Sequence, residues 1–186
     1  MARLAILFPG IGYTCDKPLL YYAEKMAIKN VYETKRVVYR SLGDTRIRGN
    51  REKIEEAVRF LYACSEEFLS DIDFTQYDEI LFISKSIGTI IAAEYASKMQ
   101  AEVRHILYTP LEDTFRHSFK NAISFIGTAD PWSNVQDVID LAKAKGVSIY
   151  IYDNANHSLE TGEVLKDIET VQDVMIKTEA FITGTL

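Results

Sequence analysis

Three residues carry side chains that together can move an acyl group: Ser86, Asp130 and His157. A serine hydroxyl attacks a carbonyl when a base takes its proton and amide donors receive the oxyanion. A neutral imidazole near pH 7 can take that proton and pass it to the leaving group. A carboxylate can hold the imidazole in the right tautomer and stabilise the imidazolium. Each residue also has an ordinary reading. Ser86 precedes a helical pattern and could cap it. Asp130 stands before Pro131, as turn residues often do. His157 could be a solvated loop histidine. What sets the three apart is where they fall: each follows an apolar run.

The runs that must position them alternate with helical patterns. Residues 4–8, 36–40 (around Val37-Val38-Tyr39), 80–84, 106–109, 123–126 and 147–152 read as six strands. Most are apolar throughout, the mark of strands covered on both faces. Helices are expected over 18–27 with Asp16 as N-cap, and over 50–69, where Ile54, Ala57, Val58, Leu61 and Phe68 keep a helical rhythm. Others are expected over 87–99, over 133–145 with Gly146 as the closing glycine, and over 171–182. The alternation predicts an α/β architecture: a doubly wound, mostly parallel six-stranded sheet with helices on both faces, in one domain spanning 1–186.

In such a sheet ligands bind beyond the carboxyl ends of the strands. There the sequence places Pro9-Gly10-Ile11-Gly12-Tyr13, then an Arg-rich loop over 41–53, then Ser86. Thr109-Pro110-Leu111-Glu112-Asp113, Gly127-Thr128-Ala129-Asp130-Pro131-Trp132 and Asp153-Asn154-Ala155-Asn156-His157 follow. A serine, an aspartate and a histidine thus share one sheet edge, in that order. Asp113 and Asp153 are alternative acids. His105 opens a strand and lies at the opposite edge, and His117 is a weaker competitor for the base.

Ser84-Lys85-Ser86-Ile87-Gly88 resembles the nucleophile elbow of the α/β-hydrolase superfamily, with Ser84 where that motif has its first glycine. Gly127 to Pro131 resembles the segment carrying the superfamily's acid, and Asn154 to Ser158 its histidine loop. Phe8-Pro9-Gly10-Ile11-Gly12 stands where a His-Gly oxyanion segment is often found, with Pro9 in place of the histidine. The likeness runs from residue 4 to about 160 and is nearest the small, lidless, dienelactone-hydrolase type. The sequence departs from the superfamily in opening at the strand before the oxyanion loop, so the two edge strands that usually precede it are not expected in the sheet. The resemblance implies a serine hydrolase of small esters or thioesters, with Ser86 as nucleophile, His157 as base and Asp130 as its partner. The oxyanion donors would be the N–H groups of Ile87 and Ile11, with Gly12 second. No metal or organic cofactor is implied. Alternatives are an acyltransferase or lyase, or a binding protein on the same scaffold.

Tyr13, Leu111 and Trp132 flank this edge and are candidates for lining a substrate pocket, against plain packing. Arg46, Arg48 and Arg51 are candidates for holding an anionic group, against a solvated basic loop. Lys85 is expected to point to solvent or backbone and is given no chemistry. Gly10 and Gly12 also fit the start of a dinucleotide fingerprint, but Cys15 stands where its third glycine would be.

Composition bounds the partners. The 186 residues are 47% hydrophobic and 26% charged, with a net charge of −6. An acidic surface, with a pI near 5.2, argues against nucleic acid. No apolar run reaches the ~20 residues of a membrane span. The 2 cysteines, Cys15 and Cys64, lack metal-ligand spacing and read as free thiols of a cytoplasmic protein. The partner expected is a small acyl compound; oligomeric state is not legible.

Overall fold

A computed structural model describes residues 1–41 and 47–186. Its strands are β1 (Arg3–Phe8), β2 (Glu33–Arg36), β3 (Glu79–Lys85), β4 (Val103–Tyr108), β5 (Asn121–Gly127) and β6 (Ser148–Tyr152). Its helices are α1 (Pro18–Lys29), α2 (Arg51–Leu69), α3 (Ile87–Lys98), α4 (Val135–Ala144) and α5 (Val164–Thr183). The strands form one six-stranded sheet in the order β2-β1-β3-β4-β5-β6, and every pairing in it is parallel.

Alternation along the central strands explains why they read as unbroken apolar runs. Ala5, Leu7, Leu81 and Ile83 point to the face packed by α1 and α5. Leu4, Ile6, Phe8, Ile80 and Phe82 point to the face packed by α2 and α3. Both faces are therefore core. Further along, Leu107 and Ile126 pack with Val138, Ile139 and Ala142 of α4. The chain leaves β1 for β2 on one side and then passes back to β3 on the other. The loops after β1 and β3 part there, which opens a crevice at the carboxyl ends of the strands.

Three local expectations need correction. β2 ends at Arg36, where residues 36–40 were expected to begin a strand. It is an edge strand of polar residues, Glu33-Thr34-Lys35-Arg36, so an apolar run does not mark it. Val37 is buried and still donates its N–H to Leu7 at 2.9 Å, but Val38 is already exposed. α5 begins at Val164 rather than 171; Val164, Leu165 and Ile168 are exposed, so its first turns carry no inward apolar stripe for a sequence reading to follow. The N-cap of α1 is Lys17, not Asp16, whose carboxylate pairs instead with Arg36 at 2.8 Å. The N-cap of α2 is as expected: Asn50 Oδ1 accepts from the Lys53 N–H at 3.0 Å. Cys15 and Cys64 are both free and buried. No helix among the described residues is long and apolar enough to cross a membrane.

Candidate active site

Ser86 joins β3 to α3 with φ +58° and ψ −129°, a backbone that a residue with a side chain rarely adopts. The surroundings hold it there. Its N–H donates to the Tyr108 carbonyl at 3.0 Å. Its carbonyl accepts from the Thr89 N–H at 2.9 Å and the Thr89 hydroxyl at 2.6 Å. The turn lifts the hydroxyl away from the helix, and it makes no capping bond to α3. It lies instead 2.7 Å from His157 Nε2.

The turn is tight because three backbones meet. A Cβ on Gly88 would come within 2.4 Å of the Phe8 carbonyl oxygen, so α3 can pass under the loop after β1 only with glycine there. Ser84, where the elbow motif has glycine, is accommodated: it is fully buried and its hydroxyl donates to the Ile106 carbonyl at 3.2 Å.

His157 is placed by a loop with its own supports. Its carbonyl accepts from the Thr109 hydroxyl at 3.1 Å. Asn156 Oδ1 accepts from the N–H groups of Ser158 at 2.7 Å and Glu160 at 3.2 Å, folding the chain behind the ring. The loop crosses the turn after β5 so closely that a Cβ on Gly127 would sit 2.1 Å from the Ala155 carbonyl oxygen. That crossing puts Asp130 Oδ2 2.7 Å from His157 Nδ1. The other carboxylate oxygen accepts the Trp132 N–H at 2.9 Å. With a carboxylate on its Nδ1 side, the neutral ring carries its proton at Nδ1 and presents the Nε2 lone pair to Ser86. Burial lowers the ring's pKa from the ordinary histidine value, the Asp130 hydrogen bond opposes that, and the nearby Lys85 amine adds to it.

The loop after β1 closes on itself: Gly10 N–H donates to Tyr13 at 3.1 Å and Tyr13 N–H to Gly10 at 3.3 Å. Ile11 and Gly12 occupy the inner positions, so neither N–H is consumed by these two bonds. The Ile87 N–H, in the first turn of α3, has no acceptor within its helix. Tyr13, Leu111 and Trp132 all border the cleft above Ser86, which has a volume of about 170 Å³. Trp132 stacks on His157, with centroids 5.5 Å apart and planes at 26°. Sequence reasoning missed Lys17, Ile47 and Ile54 on the cleft wall and Thr109 beneath the histidine. Thr109 holds a positive φ of +42°, which only the structure shows.

Other candidates lie elsewhere. Arg46 falls outside the described residues. Arg51 pairs with Glu55 at 3.1 Å on α2, and neither it nor Arg48 borders the cleft. Asp113 pairs with Arg116 at 2.9 Å, and Asp153 is exposed. His105 is buried at the far end of β4 between the Phe82 and Phe119 rings, at 5.7 and 5.0 Å. Burial pushes its pKa down to about 3. The Gly10 and Gly12 loop turns back on itself, and α1 starts only at Pro18, so it is not the glycine turn of a dinucleotide site. Lys85 is corrected outright: it is fully buried, not solvent-facing. Among the described residues no group of three or more His, Cys, Asp or Glu could hold a metal ion.

No protein-family model matches the chain, and no curated protein is similar to it in sequence. Solved structures are similar to it in shape. A serine hydrolase without a lid from Xanthomonas campestris superposes with a TM-score of 0.67 at 15% identity, over 99% of this chain and 82% of that one. An α/β serine hydrolase homologue from Coxiella burnetii gives 0.64 at 17%, over 95% and 84%. An esterase from Pyrococcus furiosus gives 0.62 at 13%, over 94% and 82%. The parallel sheet, its strand order and these superpositions together establish that the chain has the α/β-hydrolase fold.

Proposed function

We propose that this protein is a serine hydrolase of small esters, thioesters or related acyl compounds. The observation that carries the reading is the unbroken line from Ser86 Oγ through His157 to Asp130, with 2.7 Å on each side of the imidazole. Ser86 attacks the acyl carbonyl as its proton passes to His157 Nε2, and Asp130 stabilises the imidazolium. The Ile87 N–H and the Ile11 N–H take the oxyanion. His157 then returns the proton to the leaving alcohol or thiol. Water enters, loses a proton to His157, and releases the acid from Ser86. The chemistry needs no metal or organic cofactor. A cleft of about 170 Å³ with Leu111 and Trp132 on its wall suits a short, largely apolar acyl group. Two buried thiols fit a reducing, cytoplasmic setting.

A panel of p-nitrophenyl esters and thioesters of increasing chain length tests this, alongside a phosphonate probe of serine nucleophiles. Turnover of short chains, with covalent labelling at Ser86, is the expected result. No turnover and no labelling would overturn it and leave a binding protein on a hydrolase scaffold. Adding an acceptor alcohol separates hydrolysis from acyl transfer by product.

A further inference from the structure

The proposed reaction makes no use of Lys85, and nothing in the packing of the described residues requires a charge there. Lys85 follows Leu81 and Ile83 on the face of β3 covered by α1 and α5. It is fully buried, and its Nζ has no hydrogen-bond partner among the described residues. An amine in that state destabilises the fold, and a methionine would fill the same volume without the penalty. A break in core chemistry of this kind is characteristic of functional sites.

Its contacts show what it serves. The Nζ lies 4.8 Å from the centroid of the Tyr13 ring, over the face that attracts a cation. Tyr13 is pinned at both ends. Its backbone closes the 10–13 turn, and its hydroxyl accepts the Leu19 N–H of α1 at 3.1 Å. Within that turn, a Cβ on Gly10 would meet Ser86 Cβ at 3.0 Å and the Lys85 carbonyl at 3.3 Å. The lysine therefore bears on the oxyanion loop from below while its backbone abuts the same loop from the side.

The charged and titratable groups around the amine come from every neighbouring element. Asp130 follows β5, His157 and Glu160 follow β6, and Lys17 precedes α1. Tyr13 lies above, and Tyr108 is the partner across β4, its hydroxyl hydrogen-bonded to Thr178 of α5 at 2.7 Å. Asp130 is thus shared: it accepts from the imidazole directly and faces the amine through space.

We propose that Lys85 is a positioning residue of this site, its buried amine seating the Tyr13 ring so that the oxyanion loop is fixed against the elbow, and standing as a charged neighbour of His157 across the cleft that both residues border. This rests on the reading of Ser86, His157 and Asp130 as a catalytic set. Burial pushes the Lys85 amine down to about 7, which the Asp130 and Glu160 carboxylates oppose, so its charge is itself lost near neutrality. As pH rises, the base loses its positive neighbour in the same range in which it becomes fully neutral.

The test is Lys85→Met in the full chain, read three ways: thermal midpoint, kcat/KM against pH on a p-nitrophenyl ester, and NMR titration of the His157 ring. The expected variant is at least as stable as the wild type. Its kcat falls by about 10-fold or more with KM little changed, as loss of a pre-set oxyanion loop requires. The acid limb and the His157 midpoint both move up by about half a pH unit or more. A His157 midpoint that stays at its wild-type value overturns the proposal, and so does an unchanged kcat. A fall in stability and kcat together without a shifted midpoint also overturns it, since that describes a core residue. If the variant does not fold, the wild type decides. Proton loss from Lys85 must move the His157 ring signals, and their indifference overturns the proposal. Wild-type protein that neither turns over esters nor labels with the phosphonate defeats the hydrolase reading alone, because the ring titration needs no activity.

Discussion

Ser86 has one hydroxyl and two possible uses for it, and the distances separate them: no bond to α3, and 2.7 Å to His157 Nε2. On the proposed mechanism the three residues act as one unit and should fail as one unit. Ser86→Ala and His157→Ala are each expected to cost on the order of 10⁴-fold or more in kcat, and the double variant little beyond either. Steady-state kinetics on one ester checks this, and additive losses would mean the residues act separately. The pH profile follows from the same imidazole. The base works only when neutral, so kcat/KM must fall as pH drops through the His157 pKa. Burial lowers that pKa, so the acid limb is expected below the ordinary histidine value of about 6.5. Initial rates from pH 4 to pH 8 locate it. At this scale the sequence was readable for Ser86, Asp130 and His157, because each pairs a reactive side chain with a strand end. It misled on Lys85, expected at solvent or backbone and found fully buried, because a strand covered on both faces does not reveal what lies over a given side chain. It was silent on Thr109, whose partner is a backbone carbonyl 48 residues away.

The elements bring these residues together through close crossings, and those crossings are where small changes should matter most. The turn after β5 meets the histidine loop at Gly127, where an added Cβ would fall 2.1 Å from a carbonyl oxygen. Gly127→Ala must push Asp130 and His157 apart. Activity is expected to drop by about 100-fold or more, since a displacement near 1 Å at a catalytic group has that order of effect. Circular dichroism alongside kinetics checks that the sheet survives. Of the elements, α2 and α4 were legible because their apolar residues face core on a helical period, and the central strands and the first two turns of α3 because they are largely apolar and buried on all sides. β2 was not, because an edge strand of four residues can be entirely polar, as Glu33-Thr34-Lys35-Arg36 is. The start of α5 was not either, because Val164, Leu165 and Ile168 are exposed apolar residues that blur the rhythm. The six-strand α/β plan survived both errors, since neither changes which strand ends carry the reactive residues.

The molecule as a whole carries a stability term tied to the site. The Lys85 pKa is about 7 when folded and in the ordinary lysine range near 10.5 when unfolded. Between those values the unfolded chain holds more protons at this position, so stability rises with pH across the interval. The penalty is full below about pH 7 and fades as pH approaches 10.5. The stability advantage of Lys85→Met over the wild type is therefore expected to be largest at pH 6 and to shrink by pH 10, which paired urea titrations at the two pH values would measure. A gap that stayed constant would mean that the folded amine titrates as it does in the unfolded chain, against the burial described. Trp132 offers a different view of the same centre. It is the 1 tryptophan of the sequence, and it lies against the His157 ring at 5.5 Å. An imidazolium quenches indole emission far more strongly than a neutral imidazole does. The intrinsic fluorescence of the protein is thus expected to dim as pH falls through the His157 midpoint and to be lost as a pH signal in His157→Ala. The fold has an optical gauge built onto its base, and rapid-mixing fluorimetry could follow the proton through each turnover with no label and no coloured substrate.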